Sequence, residues 1–195
     1  MKKTVALLLV LVMVFTLFAG CGSKDEGEYA GTIKIGVFEP ASGDNGAGGK
    51  QESLGVQYAN SVTPTVEVGG ETYKVELVPV DNESDAGKGI TAAETLVSKG
   101  VSIVLGTYGS AVAIAAGPTF DKAGVPAIGI SCTNPQVTEA ANYFRICFLD
   151  PFQGTVLANY AYDNGMRKAY CLSKMGDDYS VGLVNYSVEA FKKLG

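Results

Sequence analysis

The sequence predicts an α/β fold: a doubly wound parallel sheet that makes one lobe, followed by the start of a second, similar lobe. Three observations predict it. Short apolar runs rich in β-branched residues alternate with amphipathic stretches from residue 32 onward, the pattern of a parallel sheet with helical crossovers. Hydrophobic residues make up 47% of the 195-residue chain, enough to fill a core between such layers. Each apolar run ends on a turn-forming cluster, such as Gly106 after residues 101–105 or Thr133-Asn134 after residues 126–130.

The elements follow in order. Residues 1–20 read as a leader: Lys2-Lys3 is a positive n-region, and residues 5–19 are apolar apart from Thr16. That run is short for a spanning helix and suits a secretory signal. Leu17-Phe18-Ala19-Gly20-Cys21 resembles a bacterial lipobox, with Phe18 where Leu is usual. Cleavage before Cys21 would leave that cysteine lipidated and the protein anchored to a membrane face. Residues 21–31 are polar and aperiodic, a flexible tether. Residues 32–39 read as a strand, 40–50 as a Gly-rich loop and 52–62 as a helix. Residues 66–68 and 73–80 flank Gly69-Gly70 as a hairpin. Asp85 is positioned to cap a helix carrying Ile90, Ala93 and Val97 and closed by Lys99-Gly100.

Residues 101–105 form the next strand, and Ser110 opens a helix that closes at Gly124. Pro118 inside it predicts a kink or an irregular turn. Residues 126–130 and 143–148 are further strands. Phe152, Val156, Leu157 and Tyr160 mark a helix ended by Asn164-Gly165. Residues 169–173 read as a strand, and Val181, Val184, Val188 and Phe191 give a clear helical stripe. Residues 32–149 therefore make lobe one, and 150–195 begin lobe two.

Composition removes several functions. The chain has no His, which excludes Ser-His-Asp and Cys-His catalysis and most zinc and iron sites. The net charge is −5; losing Lys2 and Lys3 with the leader takes it to −7. No basic run offers a nucleic-acid surface. Cys132, Cys147 and Cys171 are an odd number without CxxC spacing, so neither a full disulfide framework nor a metal site is expected. The loop at 40–50 fails as a Walker A motif, because Asp44 stands where Gly is needed and Gln51 where Ser or Thr is needed. Gln51 also breaks a dinucleotide fingerprint. No cofactor or metal is expected. Asp81, Glu83 and Asp85 read as a solvated turn.

The strands at 101–105 and 126–130, joined by a right-handed crossover, place both following loops at one carboxyl edge of the sheet. Small molecules bind there in open α/β sheets. In the first loop, Gly109-Ser110 lies at a helix N-terminus, where free amides and a hydroxyl suit a carboxylate. The same serine would otherwise serve as an ordinary cap. In the second, the Ser131 carbonyl and the Thr133 hydroxyl are acceptors that suit an ammonium group. Their alternative is a simple turn before Pro135.

With these residues in place, the chain resembles the branched-chain amino acid receptors among type I periplasmic binding proteins of ABC importers. The resemblance rests on the lipobox, IKIGVFEPASG, GTYGSAVAIAAGP, KAGVPAIGISCTNPQVT, YFRICFLDPFQG and DDYSVG. It implies two lobes that close on an amino acid. Gly109 and Ser110 would hold the carboxylate, Ser131 and Thr133 the ammonium, and Tyr179 would pack on the ligand from the other lobe. Gly48 stands where the family often presents an aromatic to the ligand side chain. The positions of a disulfide found in some members hold Ser84 and Gly109. Family members are about twice this long, so the resemblance implies a C-terminally truncated receptor.

The expected function is an extracytoplasmic lipoprotein, monomeric, that captures an amino acid and delivers it to an ABC permease without chemistry on the ligand. A sensor of the same fold that binds an amide or another amino acid, and an enzyme using the same sheet edge, are the alternatives.

Overall fold

The structure, a computed structural model, describes residues 29–195. The expected leader, the lipidation site Cys21 and the tether as far as residue 28 lie outside the described residues. Six strands build one sheet in the order β2-β3-β1-β4-β5-β6. They are β1 (Gly31–Glu39), β2 (Thr65–Val68), β3 (Glu71–Asp81), β4 (Ile103–Leu105), β5 (Ala127–Gly129) and β6 (Tyr143–Arg145). Every neighbouring pair is parallel except β2 with β3, which form the hairpin turned at Gly69-Gly70. Because β1, β4 and β5 are parallel, the loops that follow them meet at one edge.

Helices lie on both faces. The helices α2 (Ala86–Ser98) and α3 (Ser110–Ala123) pack side by side on one face. There Phe38, Leu96, Val104, Val112 and Phe120 are buried. Phe120 meets Phe38 edge-on at 5.5 Å and Tyr143 at 6.2 Å. Each such ring, fully buried, stabilises the fold by about 2 kcal/mol, so this face holds the lobe together. The helix α1 (Gly46–Val62) crosses the other face, over Ile35, Leu77, Leu105 and Ile128. The chain ends in two helices packed on each other, α4 (Asp150–Asp163) and α5 (Asp178–Lys193).

Several local expectations need correction. The helix expected at 52–62 begins six residues earlier, at Gly46. The free loop is short because Asp81 anchors it: its carboxylate accepts from the Ala41 amide at 2.8 Å and the Ser42 hydroxyl at 2.8 Å. The helix carrying Pro118 runs through to Ala123 as a single span; Pro removes one donor there without ending the helix. The strand expected at 126–130 shrinks to three residues, as does that at 143–148, and a 3-10 helix at Pro135–Glu139 separates them.

Residues 169–173 form no strand. A strand exists through its ladder, and β6, the nearest sheet edge in sequence, pairs only with β5. Without a partner, Tyr170 and Leu172 are left exposed. Asp85, by contrast, caps α2 as its spacing predicts, accepting from the Lys88 amide at 2.8 Å.

Candidate ligand-binding site

A cleft of about 390 Å³ opens at the carboxyl edge of β4 and β5. All five residues singled out from the sequence, Gly109, Ser110, Ser131, Thr133 and Tyr179, line it. The loop after β4 supplies the first two, the loop after β5 the next two, and the first turn of α5 brings Tyr179 across from them. Three segments far apart in sequence thus converge on one space.

Gly109, not Ser110, is the N-cap of α3. The first intrahelical bond runs from the Ala113 amide to the Gly109 carbonyl, so the amides of Ser110, Ala111 and Val112 precede the helical ladder. The Ser110 hydroxyl makes no capping bond and instead accepts from the Asn134 amide at 3.2 Å. Its proton remains free to be donated. Free amides, a helix dipole and a donating hydroxyl form a pole for an anion.

Thr133 has the opposite hydrogen-bonding character. Its buried hydroxyl donates to Asp150 Oδ1 at 2.6 Å. With the proton directed there, only lone pairs are left for a ligand, as an ammonium requires. The Asp150 amide also donates to the Thr133 carbonyl at 3.1 Å, so one residue grips the threonine twice. Burial pushes the Asp150 carboxyl above the usual range, while the bonds from Thr133 and Gln153 act against the shift. Ser131 lines the cleft and donates its hydroxyl to Glu52 of α1. Tyr179 is partly exposed, and its hydroxyl lies 3.5 Å from the Gln153 amide nitrogen, an edge-of-range contact.

Sequence reasoning missed the residues that hold these loops in place. Arg145 of β6 donates to the carbonyls of Asn134 at 2.7 Å, Pro135 at 3.0 Å and Cys132 at 3.3 Å, and to the Thr138 hydroxyl at 3.0 Å. Asn134 joins three segments: its amide donates to Ser110, its side-chain oxygen accepts from Gln136, and its side-chain nitrogen donates to the Asp178 carbonyl at 2.9 Å. Asn82, fully buried at the end of β3, donates to the Phe38 carbonyl and to the Thr107 hydroxyl at 2.8 Å. An arginine within an apolar strand and an asparagine just past one were the available signals.

The cleft also contains an aromatic wall. The Tyr108 ring lies against Gly48, where an added Cβ would come within 2.4 Å of the ring edge. The absence of a side chain at Gly48 is what seats this ring. Phe148 and Cys147 complete that side.

The periplasmic binding protein family profile matches residues 32–195 of this chain. The chain is 29% identical over 187 residues to Leu/Ile/Val-binding protein homolog 1 of Brucella abortus, covering 92% of this chain and 50% of that protein. To the amino acid binding protein of Pseudomonas aeruginosa it is 32% identical over 167 residues, covering 84% and 44%. Among solved structures, the leucine binding protein LivK of Thermotoga maritima superposes with a TM-score of 0.79 at 35% identity, covering 84% of this chain and 46% of that one. The branched-chain amino acid transporter substrate binding protein LivJ of Streptococcus pneumoniae, in complex with isoleucine, superposes with a TM-score of 0.74 at 30% identity, covering 83% and 47%. The chain spans about half the length of the curated relatives it matches.

Proposed function

This chain belongs to the periplasmic binding protein family, and on that premise we propose that it captures an amino acid outside the cytoplasm and serves its delivery to an ABC permease. A branched-chain amino acid is the ligand the reading favours, and lipid on Cys21 is the anchor it assigns. One observation supports the proposal: a single cleft is lined both by Ser110, at the N-terminus of α3 with its hydroxyl proton free, and by Thr133, whose hydroxyl donates to Asp150 and leaves lone pairs for a ligand. A free amino acid is the small molecule that needs both. The names of the similar proteins support the same class of ligand.

In the proposed mechanism the carboxylate seats on the α3 amides and the Ser110 hydroxyl. The ammonium donates to the Thr133 hydroxyl and the Ser131 carbonyl. The ligand side chain lies toward Tyr108 and Phe148. Tyr179 closes on the ligand from α5, and hinge closure gives the permease a form to recognise. No bond of the ligand is made or broken.

The test is calorimetric titration with L-leucine, L-isoleucine and L-valine, alongside two truncated ligands. 4-Methylpentanoate lacks the ammonium, and isoamylamine lacks the carboxylate. Binding of the amino acids with both analogues at least about tenfold weaker supports a zwitterion site, since each lost charged hydrogen bond costs about 1.5–3 kcal/mol. Equal binding of 4-methylpentanoate and leucine would reject the acceptor pole.

A further inference from the structure

Beneath the cleft lie two acids that the proposed ligand contacts do not use. Glu39, at the end of β1, is buried, and its Oε2 accepts from the Tyr108 amide at 2.9 Å. Glu52, on α1, accepts from the Ser131 hydroxyl on its Oε1. Each acid therefore fastens one of the two loops that carry the poles of the site. Their remaining oxygens, Glu39 Oε1 and Glu52 Oε2, are buried with no partner among the described residues, and the two carboxyls lie within hydrogen-bonding reach of each other. Gly106 lies directly against Glu39: an added Cβ there would lie 2.8 Å from Glu39 Oε1 and 2.3 Å from the Phe38 carbonyl.

Two adjacent carboxylates repel each other, and a buried oxygen without a donor on each of them is costly. A single proton between them resolves both problems, with one oxygen donating and the other accepting. The surrounding groups supply no competing charge. Glu52 faces Glu39 from α1, the Tyr108 amide from the loop after β4, the Cys132 thiol from the loop after β5, and the Tyr143 hydroxyl from β6. Among the described residues, neither acid forms an ion pair with Lys or Arg.

We propose that Glu39 and Glu52 share one proton and that this acid pair is a positioning device, joining the Tyr108–Ser110 loop to the Ser131–Thr133 loop so that the two poles of the site keep a fixed separation. The chemistry around Glu39 agrees: burial first, then the charge of Glu52, pushes its pKa to about 10. The acids touch no ligand and act through the loops they hold. The role in ligand binding rests on the function proposed above, whereas the shared proton does not.

The experiment therefore reads both separately. Infrared spectra of the protein in D2O should show a carboxylic-acid carbonyl band at about pH 7, with a component that Glu39→Gln removes, since nearly all free carboxyls are ionised there. In 15N-labelled protein, the Tyr108 amide should titrate with the same midpoint as that band. Glu39→Ala should shift the Tyr108 and Ser131 amides and weaken L-leucine binding about tenfold, and Glu39→Gln, which can still donate to Glu52 and accept from Tyr108, should recover most of that loss. A spectrum without the Glu39-dependent band overturns the shared proton. A band with Tyr108 and Ser131 amides unmoved in Glu39→Ala overturns the positioning role. If leucine does not bind the wild-type protein, the proposed function fails, and the band and amide shifts still decide this inference.

Discussion

Glu39 makes the folded state depend on pH in an unusual direction, and Glu39→Gln should abolish that dependence. An unfolded glutamate releases its proton near the reference value of 4.5, whereas folded Glu39 holds it to about 10. Below 4.5 both states are protonated, and Glu39 adds no pH dependence. Between 4.5 and about 10 only the folded state keeps the proton, so rising pH favours unfolding by about 1.4 kcal/mol per pH unit. Above that window both states are ionised and the slope vanishes. At pH 7 the accumulated cost is of order 3 kcal/mol, a large share of the roughly 5–15 kcal/mol stability of a typical domain.

The glutamine introduced by Glu39→Gln is neutral at every pH and keeps the hydrogen-bonding shape. Its own packing cost is independent of pH, so the informative quantity is how the stability difference between the two proteins changes with pH. Urea unfolding at about pH 6 and about pH 8 should show the variant gaining about 3 kcal/mol on the wild type over that interval. Titrating groups other than Glu52, which is coupled to Glu39, are common to both proteins and cancel. A stability difference that stays level across the interval would mean that Glu39 is ionised in the folded protein, and the shared proton would be refuted with it.

Three further predictions concern the cleft. Gly48→Ala places a methyl group where the Tyr108 ring now lies, at 2.4 Å; the ring can swing aside, so stability should change little while the leucine-to-valine affinity ratio shifts several-fold, as calorimetry would show. Arg145→Met leaves the carbonyls of Asn134 and Pro135 without the donor they now share, and should cost about 2–4 kcal/mol in a urea melt. Cys147 lines the cleft and its thiol is pushed up in pKa, chiefly by burial; maleimide labelling followed by peptide mass analysis should therefore be slow, should quicken as pH rises, and should be blocked by saturating leucine, while exposed Cys171 labels regardless.

The sequence disclosed the parts of the fold that local patterning controls. The hairpin at Gly69-Gly70, the cap at Asp85 and the stripe from Val181 to Phe191 depend on neighbours a few residues away, and they stand where periodicity put them. The convergence of Ser110, Ser131 and Thr133 on one cleft was legible for a related reason: parallel strands force the loops after β4 and β5 to one edge. Residues 169–173 misled because β-propensity describes a residue's fit to a sheet and cannot supply the neighbouring strand. The early start of α1 was hidden because glycines at 46, 48 and 49 read as a loop, while Asp81, distant in sequence, shortens that loop through hydrogen bonds.

The contacts of Glu39, Glu52 and Asp150 were hidden because they arise only from pairing across the fold. Glu52 meets Ser131 across 79 positions, and Tyr108 meets Glu39 across 69. A carboxylate in a sequence gives no sign of burial, and each of these residues taken alone reads as an ordinary surface charge.

If the cleft has two poles of opposite character, a cross of variants against truncated ligands separates them. Ser110→Ala should weaken leucine binding by about tenfold or more, through loss of a charged hydrogen bond, and leave isoamylamine binding nearly unchanged. Thr133→Val should weaken leucine and isoamylamine together and spare 4-methylpentanoate. Calorimetry showing that both substitutions affect the two analogues equally would contradict the assignment of the carboxylate to Ser110 and the ammonium to Thr133.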